Sequence, residues 1–118
     1  MAFNTVAFKK TMLTWEGIAK KAPGDITAAG KEFVAEHPEA AQVINTMSQT
    51  VSTMNHKLHD QLDRIITAKD DKGRADAAKS ALSTVKQYEN YVTTTHLPAD
   101  VQKSLKDGLA QLARGLAG

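Results

Sequence analysis

Between Pro38 and Lys69 the apolar residues fall at Ile44, Met47, Val51, Met54, Leu58, Leu62 and Ile65, in steps of three or four. That spacing draws one stripe along a helix and fits no strand. Pro38 stands where a first helical turn tolerates proline, and Glu39 suits the positive end of the helix dipole. No glycine or proline interrupts the stretch up to Lys72. At 1.5 Å per residue the predicted helix is roughly 45 Å long, more than the width of a compact domain, so it is expected to bend or project.

The same periodicity organises the rest of the chain. A first helix is predicted from about Asn4 to Lys20, with Phe8, Met12, Trp15 and Ile18 as its buried stripe. Pro23-Gly24 reads as a breaker pair. Asp25 or Thr27 is then expected to cap a short second helix bearing Ile26, Ala29, Phe33 and Val34, ending at His37-Pro38 because a residue before proline is pushed out of the helical region. After the long third helix comes a polar turn, Lys69-Asp70-Asp71-Lys72-Gly73. A fourth helix carries Ala78, Leu82, Val85, Tyr88 or Tyr91, and Val92; Thr93-Thr94-Thr95 frays it. Pro98 opens a fifth, striped by Val101, Leu105, Leu109, Leu112 and Leu116. No usable segment alternates with period two. The expected fold is all-α, about five helices in one domain over residues 1–118.

The totals narrow the function classes. At 118 residues the chain can bury one core but not two. Aromatics make up 5%, so that core is made of Ala, Leu, Val, Ile and Met. A net charge of +2, with lysines scattered along the sequence, does not point to nucleic acid. The chain has no cysteine, which removes thiol catalysis, disulfides and cysteine-based zinc sites and is compatible with the cytoplasm. No stretch approaches a membrane span, and the first twelve residues lack the apolar core of a signal peptide.

The order of Trp15, Pro23-Gly24, Gly30 and His37-Pro38-Glu39 resembles the opening of a globin, where a first-helix tryptophan precedes a Pro-Gly corner, a small residue at a helix crossing and a His-Pro-Glu turn. His96-Leu97-Pro98, followed by Leu105, Leu109 and Leu112, is similar to the last corner and final helix of animal haemoglobins. Lys72-Gly73-Arg74 resembles the tripeptide after the proximal histidine of some invertebrate nerve globins. The resemblance covers both ends, about half the chain. It implies a globin-like bundle, descent from an oxygen carrier and a haem cofactor held by a proximal histidine. Asp71 stands at that position, and no histidine lies between His59 and His96. Ile44 stands where globins wedge a phenylalanine against haem. The expectation is therefore an altered or lost haem site.

If haem is bound, its ligands come from the middle of the chain, where His59 and His56 are the available histidines, with Met54, Leu58 and Ile44 as the remaining pocket residues. Helical phase places His56 almost opposite the apolar stripe, His59 on its flank and Met54 at the distal position. His56 and His59 at i, i+3, near Asp60 and Asp63, also have the spacing of part of a zinc or copper site, but no third ligand is fixed. No serine or threonine stands in a triad frame, and there is no phosphate loop or dinucleotide fingerprint, so no enzyme is expected. The alternative is a haemless interaction module that self-associates or binds an apolar ligand through the long third helix. Its 44/47/51/54/58 steps match a coiled-coil seam, which predicts a homodimer through residues 44–65.

Overall fold

The computed structural model describes residues 4–117. Four long helices run α1 (Thr5–Glu36), α2 (Ala41–Thr67), α3 (Asp71–Thr94) and α4 (Ala99–Ala117), with one 3₁₀ turn at Pro38–Ala40. Each lies antiparallel to the two it packs on: α1 sits between α2 and α4, and α3 closes the ring on the other side. No strand occurs among the described residues, so the all-α class stands, as four helices rather than five.

The difference lies at Pro23-Gly24, which does not break the first helix: Pro23 sits inside α1. A proline in a helix interior removes the N–H that would bond the carbonyl four residues back and costs about 3 kcal/mol. Packing offsets that cost. Trp15, Ala19, Ala22 and Ile26 lie on one face straight through the proline, all buried. Neither predicted cap forms. Asp25 is exposed, and the Thr27 hydroxyl donates to the Pro23 carbonyl at 3.2 Å. The helix starts where the sequence places it, and its cap is Asn4, whose side chain accepts from the Ala7 N–H at 3.0 Å. Its end falls at His37-Pro38 as expected, with the His37 N–H bonded to the Phe33 carbonyl.

The long central helix neither bends back nor stands alone, because the whole molecule is a rod of 54 × 20 × 18 Å. Its stripe is spent inside the chain: Val51, Leu58, Leu62 and Ile65 are fully buried. The seam drawn through residues 44–65 thus faces this chain's own helices, and a dimer along it would have to open the bundle. At the far corner Asp70 caps α3 by accepting from the Gly73 N–H. Arg74 bonds both Asp71 and the Ala68 carbonyl.

The helices are unequal in reach. The start of α4 lies beside Asp25, Ala28 and Ala29 of α1, and Tyr88 of α3 bonds Asn55 of α2. Counting on from that pair, the end of α3 comes opposite Gln49. Beyond these levels α1 and α2 continue as a two-helix hairpin for roughly two turns, about 10 Å. Gly30 lets the two helices meet there: a Cβ on it would fall 2.9 Å from Ile44 Cδ1.

Candidate functional site

The proline in α1 generates the most elaborate polar arrangement in the molecule. With no N–H on Pro23, the Ala19 carbonyl has lost its helical donor. Asn55 of α2 supplies one, its Nδ2 donating to that oxygen at 2.8 Å. The Asn55 Oδ1 in turn accepts from the Tyr88 hydroxyl of α3 at 2.6 Å. Ser48 donates to the Pro23 carbonyl from α2 at 3.2 Å. Three helices are thereby tied at one level. Burial, with Tyr91 alongside adding to it, lifts the Tyr88 pKa well above its ordinary 10.0, so the phenol stays protonated and stays a donor. Across the bundle Trp15 meets Tyr88 edge to face, centroids 5.7 Å apart. Gly108 of α4 leaves the room for this, since a Cβ there would come within 3.0 Å of the indole.

At the level of this layer, between α1 and α2, lies a groove of about 370 Å³, lined by Trp15, Glu16, Ala19, Lys20, Pro23, Ser52, Asn55, His56 and His59. Its volume is at the low end of small-molecule sites, about 300–1,000 Å³. His59 pairs through Nδ1 with the Glu16 carboxylate across the groove mouth. His56 lines the groove one turn along and is exposed.

Of the sequence-predicted site residues, the structure brings His56 and His59 together at this groove. The other three lie elsewhere. Leu58 is fully buried in the bundle core, Met54 packs on its edge, and Ile44 sits against Gly30 in the overhanging hairpin. Asp71 lies in the first turn of α3, exposed, 3.0 Å from Arg74. The five residues therefore do not line one pocket. His37 stacks on Phe33 with centroids 4.8 Å apart and reaches Glu39 at 3.4 Å.

Ser52, two imidazoles and Glu16 share the groove, but neither imidazole is bonded to Ser52. That leaves no nucleophile-to-base contact of the kind hydrolytic triads use. Among the described residues no three His, Cys, Asp or Glu side chains converge as a metal site. Asn55 and the interior role of Pro23 were not anticipated from sequence. The one sequence signal that bears on it is the core stripe, which keeps helical phase from Trp15 to Ile26 across the Pro23-Gly24 pair. Comparison with protein-family models, with curated proteins and with solved structures finds no match for this chain.

Proposed function

We propose that this chain is a haemless, non-enzymatic interaction module: a rod whose interior is closed by its own side chains and whose contacts are made by apolar residues left outside. The observation that carries the reading is the contrast between the two sets. Among the described residues twelve large side chains, Trp15 and Tyr88 included, are fully buried. Val6, Leu13, Phe33 and Val43 remain largely exposed, the first two towards one end of the rod and the last two on the overhanging hairpin. On this reading the contacts are made at the ends of the rod and not along the stripe of the long helix. No helix among the described residues is long and apolar enough to cross a membrane.

The reading drawn from the globin resemblance, with haem ligated by His59 or His56, makes the opposite forecast in one experiment. Haemin titrated into the protein, before and after reduction and exposure to carbon monoxide, should give a broad band no different from free haemin. His59→Ala and His56→Ala should leave it unchanged. A sharp stoichiometric Soret band that shifts with carbon monoxide would overturn the haemless reading.

A further inference from the structure

Resting on the interaction-module reading, we propose that the partner is a second copy of this chain, engaged head to tail. The lysine-flanked outer face of α1 on one copy seats against the acidic overhang of the next. The overhang is unfinished core. Phe33 lies seven residues, two turns, beyond the fully buried Ile26 and on the same face, yet it is 53% exposed because α4 has not begun there. Val43 lies eleven residues before Met54, in phase with it on the side of α2 that packs on α3 further down, and is 59% exposed. Below them, where α4 starts, is an open notch of about 710 Å³ lined by residues including Asp25, Ala29, Asp100 and Ser104. Asp25, Glu32 and Glu36 fall on the α4-facing side of α1, so the step is apolar at its centre and acidic at its border.

The complementary surface is on the same helix. Val6 and Leu13 are seven residues apart on the outside of α1, 74% and 59% exposed. Gly17 and Gly24 continue that line, with open space where a Cβ would be. Lys9, Lys10, Lys20 and Lys21 flank it, while Lys31 lies further along the same face on the overhang itself, and Glu16 and Glu32 border the lysine sector on its two sides. The lysines look scattered in sequence, but because Pro23 does not break α1 they gather on one face. Among the described residues none of these lysines, nor Asp25, Glu32, Glu36 or Asp100, is in an ion pair. Two different patches, each fitted to the other, make a heterologous contact that repeats into open chains instead of closing as a dimer. The overhang is small beside the ~800 Å² per partner of a standard interface, so association is weak and salt-sensitive.

Sedimentation of the full chain over a wide concentration range tests this, with Phe33→Asp disabling the overhang, Leu13→Asp disabling the ridge, and circular dichroism checking that both variants fold. The wild type is expected to grow past dimer at low salt and to shrink as salt is added. Each variant alone is expected at the mass of one chain, and an equimolar mixture of the two is expected to form dimers and stop there. A wild type that stays monomeric, one that closes at dimer, or a mixture that stays monomeric would overturn the proposal. A monomeric wild type that instead binds phosphatidylserine vesicles through the lysine face would overturn self-association while leaving the interaction-module reading standing. The haemin titration tests that reading separately.

Discussion

The middle of the rod and its overhanging tip are built from the same two helices, yet they differ in almost every physical respect. At the level of Tyr88, α1 and α2 have α3 and α4 against them. Leu58 and Ile26 are sealed from water, and even a proline is accommodated because Asn55 bonds the carbonyl it frees. About three to four turns further on, α1 and α2 have neither α3 nor α4 against them, and Phe33 and Val43 stand largely in water. The apolar pattern does not change between the two regions; the number of helices does. A hydrophobic stripe is thus an instruction to be covered, and whether it is obeyed inside one chain or between chains depends on the lengths of other elements.

The largest effect that should separate the two regions is truncation of matching apolar side chains. Leu58→Ala is expected to cost about 2–5 kcal/mol in urea unfolding, as a buried leucine with little room to relax. Phe33→Ala should cost under about 1 kcal/mol, since most of its surface is already wet. Equal costs would mean that the tip is covered after all.

Glycines sharpen the same contrast. Gly108→Ala pushes a methyl against the indole of Trp15 and should destabilise by about 1–3 kcal/mol. Gly24→Ala, with nothing within 4 Å of its new methyl, should stabilise by roughly 0.5–1 kcal/mol through helix propensity alone. Thermal denaturation that shifts both variants the same way would contradict the tight Trp15–Gly108 approach.

Within the middle layer, Asn55→Ala should cost about 1–3 kcal/mol, because the Ala19 carbonyl and the Tyr88 hydroxyl both lose their partner. In a Pro23→Ala background, where the helix can bond Ala19 itself, the same change should cost measurably less. An additive double-mutant cycle would show that the Asn55 bond does not answer the proline.

The smallest effect is a pH slope. The Tyr88 pKa is raised in the folded state, so its contribution is fully present below the unfolded tyrosine value and is lost as pH climbs beyond it. Stability should therefore fall above about pH 10. Tyr88→Phe should flatten that decline, and a wild type as steep as the variant would remove the burial from the account.

Several features were legible without coordinates because each rests on local chemistry. The all-α class follows from unbroken three-and-four spacing. The start of the first helix near Asn4, its stop at His37-Pro38 and the polar turn at 69–73 follow from residues that act on their own neighbouring backbone, whereas the caps that Asn4 and Asp70 supply emerge only in the structure. The buried residues Phe8, Met12, Trp15, Val51, Leu58, Leu105 and Leu112 follow from phase. His56 and His59 could be paired in sequence, yet Glu16, the partner of His59, lies on another helix, and no spacing along α2 discloses it. The fate of Pro23 was likewise beyond local reasoning, since proline breaks an isolated helix and survives here through a stripe and an amide supplied from elsewhere. That Phe33 and Val43, drawn from the same pattern as the core, end up outside was decided by where α3 stops and α4 begins. Periodicity specifies which face of a helix avoids water, and only the arrangement of the other helices determines how far along its length that face is covered.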